Sequence, residues 1–176
     1  MSDLRCDLIM ISIKPTTYDE IDILTDIQKQ AFKPLYDKYR DASNPYLRGR
    51  EDIEKRLCSD YFKYFTIYCN NEIIGGVLYR LKGSTPFIYE LKENECYLTR
   101  VYIKPEMQNL KIGRTAICLC EKELIKKHIY YVDFPQDLEK NRRCYESVGF
   151  KDTKKRLETD PGVVLASYIK EADETN

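Results

Sequence analysis

Apolar positions along the chain switch between two periods, and the switches outline its elements. Residues 10–14 read as a short strand, and Thr17-Tyr18-Asp19-Glu20 puts a hydroxyl and a carboxylate where a capping box opens a helix. Leu24, Ile27 and Ala31, with Ile23 alongside, then recur at helical spacing. Residues 32–39 either extend that helix or begin another turn before Ser43-Asn44-Pro45 interrupts it. A short helix follows over 50–57, and 62–69 is β in composition. Asn70-Asn71 tolerates the positive φ of a tight hairpin, so 73–80 returns antiparallel, with Gly75-Gly76 as a bulge or a close approach. Strands over 87–91 and 95–104 extend the meander.

The period then lengthens. Ile112, Ala116, Leu119, Cys120 and Leu124 predict a helix over 112–127, with His128 ending it, where a partial charge suits the C-terminal dipole. Residues 129–134 are a strand, and the order strand, helix, strand predicts a parallel pair joined by a crossover. A last helix over 137–148 ends at Gly149 in a left-handed cap. Strands over 150–156 and 163–170 flank the turn Asp160-Pro161-Gly162, and 171–176 should fray. The expected architecture is α/β of the α+β kind: a mixed, mainly antiparallel central sheet flanked by helices, in a single domain over 1–176.

Composition narrows the class. The chain has 176 residues, 43 % hydrophobic and 33 % charged, with 29 basic against 29 acidic side chains, so it is globular and has no general attraction to nucleic acid or membranes. The short mixed run before Met10 does not read as a signal peptide, and no window approaches a membrane span. Seven cysteines at irregular spacing read as reduced thiols, which suits the cytoplasm. Cys118 and Cys120 diverge on a helix, and with His128 the only histidine the chain lacks a typical zinc set, so no metal is expected.

Candidate chemistry concentrates between Cys96 and Ala116: a strand, a polar turn after Pro105 and the first turn of a helix. The first amides of a helix have no intrahelical acceptor, and together with the macrodipole they suit a phosphate or diphosphate. Gln108, Ile112 and Gly113 fall on a pattern of Gln or Arg, two residues, Gly, one residue, then Gly or Ala. The segment resembles the acetyl-CoA signature of the GCN5-related N-acetyltransferases, the GNAT superfamily. Lys111 departs from it, standing where the family usually has Gly. At positive φ a lysine there would cost roughly 1 kcal/mol or more. In the right-handed region, the expectation adopted, it costs nothing and can add attraction to an anion. Residues 141–150, with Asn141, Tyr145-Glu146 and Gly149-Phe150, resemble the family's closing helix.

The resemblance implies acetyl-CoA as cosubstrate and a splayed central strand pair that admits its pantetheine arm. It places Gln108, Asn109, Leu110, Lys111, Ile112, Gly113 and Arg114 around the diphosphate and Val101, Tyr102 and Ile103 along the arm. Asn141 joins them as a coenzyme contact, although in many relatives the corresponding Asn lies at the position of Leu138. Tyr145 is the candidate general acid; its plain alternative is a half-buried aromatic with a wet hydroxyl. For the general base, Glu95, Tyr97 and Glu90 lie near the cleft, and a water chain would serve as well. Lys140, Arg142 and Arg143 read as a solvated helix face, although one of them could meet the coenzyme's 3′-phosphate. Phe32, Tyr36 and Tyr39 border the acceptor cleft or simply pack. The function implied is acetyl transfer to an amine of a small molecule or peptide by direct attack. The Lys111 departure keeps open a non-catalytic coenzyme A-binding or sensor protein, and a homodimer is equally open.

Overall fold

A computed structural model describes residues 9–159 and 162–172; residues 173–176 of the expected tail and most of the expected 160–162 turn lie outside them, whereas Glu171 belongs to the last strand and Ala172 N–H donates to His128 O at 2.7 Å instead of fraying. The order is β1 (Ile11–Pro15), α1 (Ile21–Tyr39), α2 (Arg50–Leu57), β2 (Phe62–Cys69), β3 (Glu72–Arg80), β4 (Glu95–Ile103), α3 (Ile112–Glu123), β5 (Ile129–Pro135), α4 (Glu139–Ser147), β6 (Lys151–Thr159) and β7 (Val163–Glu171). The strands form one sheet in the order β1-β2-β3-β4-β5-β7-β6, antiparallel throughout except for the β4–β5 pair.

Each face has its own core. Cys96, Leu98, Ile103, Val132 and Phe134 pack with Ala116, Ile117 and Cys120 of α3 and Tyr145 of α4. Leu78, Tyr64 and Tyr102 pack with Ile21, Leu24 and Ile27 of α1 and Ile53 of α2. On α3 the two cysteines two residues apart do diverge: Cys120 is buried and Cys118 exposed.

Local signals mostly hold. Thr17 N–H donates to the Glu20 carboxylate at 3.1 Å, and that carboxylate also accepts from Thr66 Oγ1 at 2.6 Å and from Tyr68, which ties the start of α1 to β2. The helix runs on through Pro34 and stops at Arg40, which has φ 53° and donates its N–H to Tyr36 O. Asn70 and Asn71, at φ 49° and 69°, make the hairpin turn. At Gly75 a Cβ would collide with the main-chain carbonyl of Tyr102, so this strand crossing admits only glycine.

Two expectations fail for local reasons. Residues 87–91 form no strand, because the Thr85 hydroxyl accepts from the amides of Phe87 and Ile88 and the main chain of Thr85 pairs with Ile88, which folds the segment on itself. The 112–127 helix ends early at Glu123, where Leu124 turns away, and His128 leads into β5 with its amide on Asn94 O instead of ending the helix.

Behind β4, Arg100 is nearly buried and donates to Gln28 Oε1 at 3.0 Å and to Asp52 Oδ2 at 2.6 Å. Asp52 also accepts from Arg56 Nε and Nη2, both at 3.3 Å. Burial alone would raise the Asp52 carboxyl, but the two guanidiniums outweigh it and hold it below the usual range. The stability Asp52 contributes is therefore present above its unfolded value near pH 4 and is lost as pH falls through the lower folded value. Replacing Asp52 by Asn should lower unfolding free energy by about 2 kcal/mol at pH 7 and flatten the acid side of the stability profile, read by urea titration between pH 3 and 7.

Candidate functional site

The sheet opens at its only parallel pair. β4 and β5 are in register over Glu95–Tyr97 and Ile129–Tyr131 and no further, although both strands continue. On its other side β4 stays paired to β3, with a register shift that leaves Thr99 as an extra residue. That bulge exchanges the faces of β4: Leu98 belongs to the α3 side, whereas Arg100 and Tyr102 turn toward α1. Beyond it Lys104 N–H donates to Ile74 O of β3, so by alternation the main-chain groups of Val101 and Ile103 face the opening. Gln108 Nε2 donates to Ile103 O at 3.0 Å from that open side. Tyr102 does not share it: its hydroxyl meets that of Tyr64 at 2.7 Å in the other core.

At the open end, Pro105 to Met107 make one tight turn and Gln108 returns to an extended conformation. Asn109 and Lys111 then adopt left-handed conformations, at φ 65° and 60°. The right-handed Lys111 expected from sequence is thus overturned. The chain must reverse from an extended residue into a helix within three residues, and Lys111 completes the reversal as the N-cap, its carbonyl accepting from Thr115 N at 3.2 Å. Among the described residues, none of the main-chain amides from Asn109 to Arg114 has a protein acceptor. Left-handed residues alternating with the right-handed start of α3 gather such amides into a concave anion nest, reinforced by the helix dipole. Arg114 is exposed beside them and makes no ion pair among the described residues.

Tyr145 comes to the same opening from α4. It is 7 % exposed and packed against Phe134 with ring centroids 5.2 Å apart and against Phe150 at 5.9 Å, and its hydroxyl makes no hydrogen bond among the described residues. Burial, then the neighbouring Cys144 and Asp133, push its phenol well above the usual range, and it stays protonated at neutral pH. Asn141, half-buried, lies one turn earlier on the same helix.

Asp133 was not singled out from sequence. It sits on β5 just past the last paired residue, opposite Ser167 of β7, with the Tyr97 hydroxyl beside its carboxylate. Burial raises the carboxyl to about 6, and Tyr97 moderates the rise. The same burial, then Asp133's charge, push the Tyr97 phenol well above its usual value. The carboxylates expected from sequence are committed elsewhere: Glu95 is buried, accepting from Lys92 N at 2.9 Å and Tyr131 Oη at 3.2 Å, and Glu90 caps Gly83 N at 3.1 Å in the β3–β4 loop. Only the parity of β5 relative to β4 could have pointed to Asp133.

Other candidates divide. Arg142 and Arg143 pair with Glu139, and Arg142 with Glu146 as well, as a solvated face would, while Lys140 makes no ion pair among the described residues. Tyr39 donates to Asp137 Oδ1 at 2.6 Å, and Lys38 pairs with Asp137 at 2.9 Å, so the end of α1 reaches across to the β5–α4 loop. Phe32 packs on Tyr102 and Tyr36 on Tyr46.

A family model described as the acetyltransferase (GNAT) family matches residues 23–150. No curated protein matches the sequence. Solved structures share the fold. The PaiA N-acetyltransferase of Thermoplasma acidophilum, in complex with coenzyme A, is 17 % identical with a TM-score of 0.68, over 92 % of this chain and 99 % of that one. The ribosomal-protein-S18-alanine N-acetyltransferase of Escherichia coli is 14 % identical with a TM-score of 0.70, over 95 % and 97 %. AAC(6')-Ib, in complex with ribostamycin and coenzyme A, is 13 % identical with a TM-score of 0.72, over 92 % and 93 %.

The left-handed Lys111 generates a direct test. Lys111→Gly should raise the thermal midpoint, by relief of roughly 1 kcal/mol of backbone strain, whereas β-branched Lys111→Val should lower it. Equal midpoints for the two variants would contradict the assigned conformation.

Proposed function

The chain belongs to the acetyltransferase (GNAT) family, and from that premise we propose that it is an acetyl-CoA-dependent N-acetyltransferase that acts on an amine by direct attack. The observation that carries the reading is the run of unpartnered amides from Asn109 to Arg114 at the open end of the β4–β5 pair. A diphosphate fits this nest, and the open main-chain groups of Val101 and Ile103 suit an extended arm lying along β4 as a strand would. Gln108 braces the loop through Ile103 O. Asn141 faces the arm from α4, and Arg114 and Lys140 supply positive charge for a further phosphate. The loop keeps its open form with lysine at position 111, so this departure from the family's glycine leaves the diphosphate site intact.

Bound acetyl-CoA would supply the thioester carbonyl and a thiolate leaving group. The protein's own groups orient the acceptor and move its protons. Asp133 is largely ionised at pH 7 and lies on the opening, so its carboxylate takes the proton of the incoming ammonium, directly or through Tyr97 Oη. Tyr145 Oη keeps its proton at that pH and holds it for the departing sulfur. One carboxyl and one phenol, both raised by burial but from different starting values, divide the base and acid roles. The acceptor is an amine of a small molecule or peptide.

Two substitutions test the roles. Tyr145→Phe should lower kcat by about 10²-fold while leaving coenzyme A affinity within about twofold, measured by thiol release and by calorimetry. Loss of affinity with unchanged kcat would contradict the assignment. For Asp133 the base form grows as pH rises, so kcat should climb through an apparent pKa near 6 and level off above it. Asp133→Asn should remove that inflection. Because the folded state holds this proton more tightly than the unfolded chain, Asp133→Asn should also gain stability relative to the parent as pH rises from 4 to 6. An inflection that survives the substitution would move the base elsewhere.

A further inference from the structure

The acceptor side of the sheet carries more guanidinium than carboxylate. Arg56 of α2, Arg80 of β3 and Arg100 of β4 lie behind or beside the opening, and Asp52 is the one acid that answers them: Oδ2 is shared by Arg100 and Arg56, and Oδ1 accepts from Arg56. Arg80 is left over. Its guanidinium lies over Phe62, 4.7 Å from the ring centroid, while Arg56 lies 4.8 Å from the same ring, and among the described residues it has neither an ion pair nor a hydrogen bond. In register it stands opposite Tyr97, and its charge reaches the Tyr97 phenol, which lies beside Asp133. A half-buried, pre-positioned guanidinium without an acceptor is therefore two strands away from Asp133, with Tyr97 on the strand between them. Nearby acids do not answer it, since Glu90 caps Gly83 N and Glu95 binds Lys92 N and Tyr131.

The wall formed by α1 and the turn after it gives a second, independent sign. Polycations dock on bare aromatic faces and unpaired carboxylates. Here Tyr36, Tyr39 and Tyr46 already hold the protein's own cations, Arg40 at 5.4 Å, Lys38 at 4.8 Å and Lys33 at 5.9 Å. On the same wall Asp37 is paired with Lys33, and Asp137 of the β5–α4 loop with Lys38, while Asp26 and Asp41 make no ion pair among the described residues. An incoming cation finds these aromatic faces already occupied, whereas an incoming anion finds Arg80 open.

We propose that Arg80 receives an anionic group of the acceptor, so that amines carrying a carboxylate near the amino group are preferred over polyamines. This rests on the N-acetyltransferase reading and narrows its substrate class. The test uses tripeptide amides that differ only in a first residue of Glu, Gln or Lys, together with spermidine. Each is followed by acetyl transfer and, separately, by equilibrium binding to the coenzyme A-loaded protein. The Glu peptide should exceed the Lys peptide in kcat/KM by roughly tenfold or more, through KM, with an advantage that shrinks in high salt. Arg80→Gln should erase the difference with kcat little changed, Arg80→Lys should restore part of it, and Arg80→Glu should reverse it. A parent protein that prefers spermidine or the Lys peptide overturns the proposal and leaves the enzyme reading standing. Arg80-dependent binding of the Glu peptide without transfer to any amine supports the anion site and overturns the enzyme reading instead.

Discussion

Main-chain hydrogen-bond donors require partners, and this fold withholds partners in one connected place. β4 and β5 separate after three paired residues, and the loop beyond β4 presents six amides without an acceptor among the described residues. A sheet or helix ordinarily closes such groups off at little cost. Both faces beside the opening are braced, with Arg100 of β4 tied to Asp52 and Gln28 on one side and Tyr145 packed against Phe134 of β5 and Phe150 on the other. In the proposed function, the ligand inherits the donors that the sheet gives up.

The same enclosure sets the chemistry. Burial acts on Asp133 and Tyr145 in the same sense, raising both, yet the outcomes differ because their starting values differ. The carboxyl arrives just below neutrality, where it can take a proton, and the phenol moves far above it, where it can only give one. Left-handed Lys111 and Asn109 show that the loop is defined by its backbone path rather than by glycine. The strain of a lysine in that conformation is small beside the donors it brings into line.

Much of this was legible in sequence because it is local. Helical and alternating periods located nearly every element, Asn70-Asn71 announced its turn, and the Gln108 to Gly113 and Tyr145 to Phe150 segments carried the family resemblance. What escaped is non-local or competes with composition. Residues 87–91 look β but fold onto the Thr85 hydroxyl. The bulge at Thr99 inverts the faces of β4 without any glycine to mark it, so Tyr102 turned out to belong to the core beneath α1. Asp133 gains its character only from the parting of two strands and from Tyr97, which lies 36 residues earlier in the chain.

The most direct measurement is amide chemical shift by NMR in a labelled protein, titrated with coenzyme A and with pantetheine, which lacks the diphosphate. Amides from Asn109 to Arg114 should move with coenzyme A and stay in place with pantetheine, while Val101 and Ile103 respond to both. Unmoved loop amides at saturating coenzyme A, or equal responses to both ligands, would contradict the diphosphate nest on which the site is built.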